Sequence, residues 1–270
     1  MRDWEVMSTK IKEAIQTLLA EGKIKGFLGL REERGDIMPH LFCDPRELDH
    51  LSLGDWKKAG DARYPLNQLM IRLTIEHPEE TFAVLVRGCD ERGLKELFKW
   101  KQLNDEKIVL IGVGCPDELA KACECEKPFP DSLIDGPKGE KANSQKVARV
   151  EAMDLDTRLE FWKAAFDRCI KCFGCRNVCP MCFCNECSLE EDQLVGTGEI
   201  PPANPTFHLA RAIHMVGRCI DCGLCEEACP ADIPLRTLYK KMTDIISKEF
   251  GYKTGFSVDE KSPFNIIEVK

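Results

Sequence analysis

The sequence predicts an α+β protein, with a small α/β domain on the N-terminal side and a helix-rich domain behind it. Residues 81–114 read as an apolar run, a helical pattern and a second apolar run, which is typical of a βαβ unit. Residues 169–180 and 219–230 carry one cysteine motif twice at identical spacing. We therefore expect four segments, namely an α/β domain over 1–130, a linker over 131–152, a second domain over 153–251 and a C-terminal arm over 252–270.

Composition narrows the classes of function. Of the 270 residues, 38 are lysine or arginine and 46 are aspartate or glutamate, so the net charge of −8 disfavours a nucleic-acid partner. No apolar run approaches the roughly 20 residues that span a bilayer, and the N-terminus lacks an apolar signal core. We expect a cytoplasmic protein without membrane insertion. In that compartment, 16 cysteines indicate metal or cluster ligation instead of disulfides.

The N-terminal elements follow from apolar spacing and stop signals. Residues 3–21 hold six apolar side chains at helical spacing, and Gly22 follows as a stop signal. Residues 24–30 predict a strand, which a turn-rich stretch separates from a second short strand. Residues 65–76 predict a helix that begins at a proline and ends before a His-Pro pair.

The βαβ unit consists of strands over 81–88 and 107–114 around a helix over 90–103. Its strands are continuous apolar runs, as in parallel sheets that are buried on both faces. Cys89 and Cys115 come just after the carboxyl ends of the two strands. Loops at that edge are where α/β sheets bind ligands.

The second domain is expected to be mostly helical. A helical pattern over 155–168 runs into the first cysteine motif, a second over 206–217 connects the motifs, and a third over 233–251 follows them. The last two helices are expected to pack around whatever the cysteines bind. The preceding linker is rich in proline, glycine and charge and shows no clear period, and the arm is expected to contact a partner.

The repeated motif is Cys-x-x-Cys-x-x-Cys-x-x-x-Cys-Pro, the spacing of bacterial two-cluster ferredoxins. Two residues between successive thiolates let one loop supply three iron ligands to a cubane. The fourth cysteine opens the next helix and reaches the other cluster. The expected ligands are Cys169, Cys172, Cys175 and Cys229 for cluster one, and Cys219, Cys222, Cys225 and Cys179 for cluster two.

Zinc is the alternative metal, since it also binds four thiolates. Zinc sites favour two Cys-x-x-Cys pairs separated by a longer loop, not three ligands in one loop. We therefore predict that the cysteines bind iron in two 4Fe-4S clusters, within a helix-rich, two-cluster ferredoxin domain of the bacterial type.

A further group of cysteines follows the first motif immediately. Its members are Cys182, Cys184 and Cys187. Free thiols at this density beside an oxygen-sensitive cluster would be a liability, so we expect a third iron-sulfur cluster completed from the α/β domain. The available donors there are Cys115, Cys123 and Cys125. The alternative is that they are buried without a ligand, as small apolar residues.

The remaining candidates carry weaker signals. Cys43 follows an apolar pair and is expected to pack in the core, whereas Cys89 has no assigned ligand. His208 and Arg211 on the connecting helix are expected to pack or to face solvent. The sequence shows no nucleotide-binding glycine motif, no nucleophile-base pair and no carboxylate dyad, so no catalytic residue is expected.

Two stretches resemble known families. VRGCDERGLKELFKWKQL with KIVLIGVGCPDELAKACEC resembles the beta subunits of deazaflavin-coenzyme hydrogenases and dehydrogenases. CFGCRNVCPMCFCNEC with AIHMVGRCIDCGLCEEACPADIPL resembles the two-cluster subunits beside heterodisulfide-reductase-like flavoproteins and formate dehydrogenases. The resemblance implies a subunit of an anaerobic oxidoreductase complex. It would relay electrons between a catalytic dehydrogenase or hydrogenase subunit and a flavoprotein or ferredoxin-like partner.

Three functions remain open. The favoured one is an electron-transfer subunit that is not catalytic by itself. The first alternative is a flavin-bearing subunit that exchanges hydride with a deazaflavin or nicotinamide coenzyme. The resembling deazaflavin-coenzyme subunits bind FAD in a longer domain after their cysteines. FAD binding by this chain therefore belongs to this alternative and not to the favoured function. The second alternative is a structural cluster in a nucleic-acid enzyme, which the acidic charge disfavours.

Overall fold

The structure is a computed structural model. It describes residues 3–56, 58–60, 62–193, 195–196 and 198–264. The chain divides into two compact units between Asn143 and Ser144. Both units bury their own sets of apolar side chains.

Within the described residues, the first unit contains a mixed six-stranded sheet. Its strands are β1 (Gly26–Glu33), β2 (Asp36–Phe42), β3 (Leu51–Ser52), β4 (Phe82–Val86), β5 (Ile108–Val113) and β6 (Leu133–Asp135). Their order is β2-β1-β4-β5-β6, with β3 also paired to β1. β1, β4, β5 and β6 run parallel, while β2 and β3 run antiparallel to β1.

Helices cover the parallel strands. They are α1 (Asp3–Ala20), α2 (Leu66–Glu76), α3 (Gly88–Lys99) and α4 (Asp117–Ala122). α2 and α3 pack against the central strands, and α1 contacts β6. All five residues of β4 are buried, which explains its continuous apolar sequence. The predicted βαβ unit is confirmed as β4-α3-β5.

The hairpin between β1 and β2 turns at Arg34 and Gly35. Glu33 pairs with Asp36, and the two turn residues have φ values of 57° and 90°. Two positive φ values match the twist of a two-residue hairpin turn to that of its strands. The turn-rich stretch in the sequence therefore closes a tight hairpin.

The segment 131–152, expected as a linker, instead contains a strand and a helix. β6 lies parallel to β5 with Gly112 opposite Leu133, and α5 (Gln145–Glu151) begins at the side-chain cap of Ser144. A three-residue strand is too short to show an alternating pattern, so the sequence did not predict it.

Gly112 allows β6 to approach β5, and we expect Gly112→Ala to destabilise the first unit. A Cβ at this position would lie 2.2 Å from the backbone oxygen of Ser132. Because backbone on both strands would have to move, the free energy of unfolding should fall by about 3 kcal/mol. Gly22→Ala, with no atom within 4 Å of its Cβ, should cost about 1 kcal/mol for its positive φ. If urea denaturation gave the same loss of unfolding free energy for both variants, the close approach of β6 to β5 would not be the reason for the glycine at 112.

The second unit is helical. Its helices are α5, α6 (Leu155–Phe166), α7 (Gly174–Asn177), α8 (Thr206–Met215), α9 (Leu224–Glu227) and α10 (Leu235–Phe250). α10 packs against α5, α8 and α9, and the short helices α7 and α9 contact each other. α6, α8 and α10 correspond to the three predicted helices.

The described part of the expected C-terminal arm, 252–264, packs on the second unit. Tyr252 is 2% exposed and lies in a cluster with Val216 and Ile246. Ser262 returns to the end of α8, where its Oγ would lie 2.6 Å from a Cβ on Gly217. An aromatic anchor therefore holds this segment to its own unit. The rest of the arm, 265–270, lies outside the described residues.

No helix in the described part of the chain is long and apolar enough to cross a membrane.

Candidate iron-sulfur centres

Both copies of the cysteine motif share one unusual loop conformation. The residue before the second cysteine is left-handed in each copy, with φ of 52° at Lys171 and 56° at Asp221. The residue after the second cysteine is left-handed too, with φ of 57° at Phe173 and 87° at Gly223. Left-handed backbone at a non-glycine residue costs about 1 kcal/mol. The motif is thus a repeated structure as well as a repeated sequence.

The first cavity is lined by three cysteines of the first motif and the last cysteine of the second. These are Cys169, Cys172, Cys175 and Cys229. Its other lining residues are mostly apolar and include Phe173, Phe207, Ile233 and Leu235, with His208 as the polar side chain from α8.

The second cavity has the reciprocal set of cysteines. These are Cys219, Cys222, Cys225 and Cys179. Met181, Met215 and Ile220 form much of its apolar wall, and Arg211, Asp221, Arg236 and Tyr239 are its polar lining residues. Each fourth cysteine follows one of the short helices α7 and α9, instead of opening a helix as the motif predicts. The contact between these two helices accounts for the exchange. The motif spacing predicts the same two sets of four.

The cysteines of each set line a cavity wall. Among the residues that the structure describes, no group of three or more His, Cys, Asp or Glu side chains is arranged to hold a single metal ion.

Backbone amides in the first loop point at cysteine sulfur. Lys171 N lies 3.4 Å from Cys169 Sγ, and Gly174 N lies 3.5 Å from Cys172 Sγ. A Cβ on Gly174 would come 3.2 Å from the Ala228 oxygen, so glycine favours this close packing. Such N–H···S contacts stabilise thiolates and tune the metal that they bind.

An ion-pair network joins the second loop to α10. Arg236 Nε donates to Asp221 Oδ1 at 2.6 Å, and Lys240 Nζ pairs with Asp221 Oδ2. Burial alone would raise the pKa of Asp221, but the charges and hydrogen bonds of these two residues outweigh burial and lower it. This buried, paired carboxylate fixes the left-handed residue of the loop.

Each cavity also contains a buried polar side chain without a partner. His208 is 2% exposed, and both its ring nitrogens lack a hydrogen bond. Tyr239 is also 2% exposed, and its hydroxyl lacks one too. Leaving buried donors unsatisfied costs about 1–3 kcal/mol each. Arg211 Nε is a further unpartnered donor in the lining of the second cavity. Four thiols and at least one unpartnered donor per cavity fit a sulfur-rich cluster.

The sequence predicts that His208 and Arg211 pack or face solvent, but does not predict that they line the cavities, as they do in the structure. Arg211 is 3% exposed. Its guanidinium nitrogens lie 3.4 Å from Cys182 Sγ and 2.9 Å from the Cys175 oxygen. Burial, and after it the Arg211 charge, lowers the pKa of His208 to about 4. Polar residues three apart on a helix between two cluster motifs were the available signal.

The three cysteines after the first motif have separate surroundings. Cys182 lies against Cys179 and Arg211, Cys187 lies beside Arg176, and Cys184 is exposed. None of the three is in the lining of either cavity, and the described structure gives them different neighbours.

Four of the five cysteines of the first unit form a group of their own at the carboxyl edge of β4 and β5, namely Cys89, Cys115, Cys123 and Cys125. Burial, and after it the Asp90 charge, raises the pKa of Cys89, and Cys125 and Cys115 lie near enough to add to this effect. Burial also raises the pKa of Cys125 to about 11, with smaller contributions from Cys115 and Cys123. Cys89, to which the sequence assigned no ligand, thus joins the three predicted donors.

Arginines surround this group. Arg87, 8% exposed, places Nη1 3.1 Å from Cys115 Sγ and donates through Nη2 to the Leu53 oxygen at 2.6 Å. Arg63 Nη1 lies 3.9 Å from Cys123 Sγ. Guanidinium groups at this distance stabilise negative charge on sulfur.

The expectation that Cys43 packs in the core is wrong, because its side chain is exposed. Phe42, at the end of β2, is fully buried. Successive side chains of an extended chain point to opposite faces. Cys43 therefore points away from the core that Phe42 enters.

Two copies of one loop, which exchange their fourth cysteines, define the class as a ferredoxin-type iron-sulfur protein. A profile of the 4Fe-4S binding domain family matches residues 212–234, which contain the second motif. This match supports iron over the zinc alternative.

The chain is similar to the F420-dependent formate dehydrogenase subunit beta of Methanocaldococcus jannaschii, with 49% identity over 183 residues. This alignment covers 67% of the chain and 44% of that relative. It is also similar to the F420-dependent formate dehydrogenase 1 subunit beta of Methanococcus maripaludis, with 45% identity over 105 residues, or 39% of the chain and 26% of the relative. The chain thus spans less than half of the length of these relatives. The predicted resemblance to formate dehydrogenase beta subunits is confirmed.

Proposed function

We propose that the chain is an electron-transfer iron-sulfur subunit of a multi-subunit oxidoreductase complex. The observation that carries this proposal is the pair of four-cysteine cavities with exchanged fourth cysteines in the second unit. Each 4Fe-4S cluster bound there would supply one-electron chemistry, by accepting an electron and passing it on. The similarity to beta subunits of formate dehydrogenases supports a complex of that kind.

The chain's own residues would hold and tune the clusters. The left-handed loops present the thiolates, and the apolar walls of the cavities exclude water. The N–H···S contacts and the Arg211 charge favour the reduced, more negative state. These are the means by which a protein sets a cluster potential.

The partners that fit this role are a catalytic dehydrogenase or hydrogenase subunit on one side and a flavoprotein or ferredoxin-like protein on the other. We place the complex in the cytoplasm. The two kinds of partner are supported by the chemistry of a relay, which needs one donor and one acceptor, and by the names of the two relatives.

We propose a third 4Fe-4S cluster in the first unit. Its ligands would be Cys89, Cys115, Cys123 and Cys125. Cys115 and Cys125 lie near Cys89, and Cys115 and Cys123 lie near Cys125, at the ligand-binding edge of the sheet. The sequence-based alternative shares the cluster with Cys182, Cys184 and Cys187. Their separate partners make that arrangement less favourable.

Iron and labile-sulfide analysis of anaerobically purified chain tests the proposed function. Three cubanes predict about twelve irons per chain, and two predict about eight. Reduction with dithionite should give EPR signals split by coupling between neighbouring clusters. Clusters that cannot be reduced would instead indicate a structural role.

The flavin-bearing alternative has a distinct signature. A stoichiometric yellow chromophore that survives iron removal would favour a subunit that exchanges hydride with a deazaflavin or nicotinamide coenzyme. For the relay we expect the visible absorbance to disappear with the iron.

A further inference from the structure

The clearest unexplained feature near the cavities is the imidazole of His208. It is 2% exposed, lines the first cavity, and has no hydrogen-bond partner at either ring nitrogen. An imidazole carries at least one N–H in every protonation state. A buried donor of this kind needs an acceptor, and the described chain provides none.

The packing of His208 restricts where that N–H can point. The ring stacks on Phe166 with centroids 4.4 Å apart and planes inclined by 19°. Phe207 packs nearly perpendicular to it at 5.2 Å. Because N–H bonds lie in the ring plane, the parallel stack directs them along the Phe166 face and not into it. The aromatic pair fixes the ring beside the four cysteines.

We propose that His208 donates a hydrogen bond to a sulfur of cluster one, and that Tyr239 does the same for cluster two. This inference rests on the proposed function, because it needs a cluster in each cavity. Tyr239 is the matching case, with a buried, unpartnered hydroxyl in the lining of the second cavity. Both residues are positioning and tuning groups, since neither ligates iron.

The expected effect is on the reduction potential. A hydrogen bond to sulfur stabilises the reduced cluster more than the oxidised one, because the reduced cluster is more negative. Removing the donor should therefore make reduction harder. It should not change the number of irons bound.

His208→Phe keeps a flat ring between Phe166 and Phe207 but removes the donor. In the anaerobically reconstituted full chain, we expect the oxidised-to-reduced ratio of one cluster to rise up to about tenfold at the wild-type midpoint. For a one-electron couple a tenfold change equals a shift of about 59 mV. Tyr239→Phe should shift the one-electron step of a different cluster and leave the first in place. EPR-monitored potentiometric titration measures both.

Two conservative variants separate hydrogen bonding from packing. His208→Asn places an amide near the ring Nδ1, and His208→Gln places one near Nε2. The variant whose N–H replaces the native donor should return the potential toward the wild-type value. His214→Phe is the control, because His214 is an exposed residue of the same helix, and it should move neither step.

A full iron content with every one-electron step unmoved in His208→Phe would overturn the inference while leaving the proposed function intact. A chain that binds no reducible cluster would overturn both. If His208→Phe fails to assemble clusters, the wild-type residue is tested directly in a His214→Phe background labelled with ¹⁵N-histidine. Pulsed EPR of the reduced chain should then detect a weakly coupled ¹⁵N, and its absence would also refute the role of His208.

Discussion

Replacing Cys229 with alanine should remove the same cluster as replacing Cys169, although the two residues lie in different copies of the motif. Both line the first cavity, so either variant should lose about four irons. The double variant Cys169→Ala/Cys229→Ala should lose no more than either single variant. Cys219→Ala/Cys229→Ala should lose about eight irons, because its two cysteines line different cavities.

This comparison separates exchanged from unexchanged ligation without assigning a spectrum to either cluster. Each pair of substitutions removes two thiols, so the number of lost ligands is matched. If each motif held its own cluster, Cys219→Ala/Cys229→Ala would be the pair that loses only about four irons. If single alanine variants lose all iron, serine variants keep a weaker oxygen ligand. The same pairing should then appear in the shifts of the two reduction steps.

The cysteine sets could be predicted because their geometry is local. Two residues between thiolates leave few ways to wrap a loop around a cubane, and the third ligand fixes the direction of the short helix that follows. The fourth ligand depends on contact between α7 and α9. The duplication of the motif implies that contact. Spacing and duplication together therefore predict the sets of four cysteines.

The polar residues of the cavities could not be predicted in this way. His208, Arg211 and Tyr239 reach the cavities through the rotation of α8 and α10 about their axes, which tertiary packing decides. On the sequence, a histidine and an arginine three apart are equally compatible with a solvated helix face. Their role becomes visible only when burial is known.

The α/β unit shows the same division between local and long-range signals. β4 and β5 are continuous apolar runs that predict buried parallel strands. β6 has only three residues, which are too few to show a periodic pattern, and its partner β5 lies about twenty residues earlier in the chain. Cys89 follows β4 at the ligand-binding edge, but its proximity to Cys125 depends on the loop after α4. A site assembled from several loops thus needs the topology before its full ligand set can be named.

The second large effect that we expect is a loss of iron when the proposed ligands of the third cluster are replaced. Cys89→Ala/Cys115→Ala should reduce the iron content from about twelve to about eight per chain. Cys182→Ala/Cys184→Ala should leave it unchanged, because these thiols have other surroundings. Cys43→Ala, at an exposed cysteine of the first unit, controls for the loss of a thiol.

The pattern of iron loss discriminates among the arrangements of the third cluster. A loss of about four irons in both double variants would support a cluster that draws on both groups of cysteines, as the sequence alone suggested. A wild-type content of about eight irons, unchanged in both double variants, would remove the third cluster. In that case the burial of Arg87, whose Nη1 lies against Cys115 Sγ, would have to be explained by its contact with this thiol alone. The proposed cluster accounts for both the guanidinium groups and the group of four cysteines, since thiolates bound to iron carry the negative charge that the arginines balance.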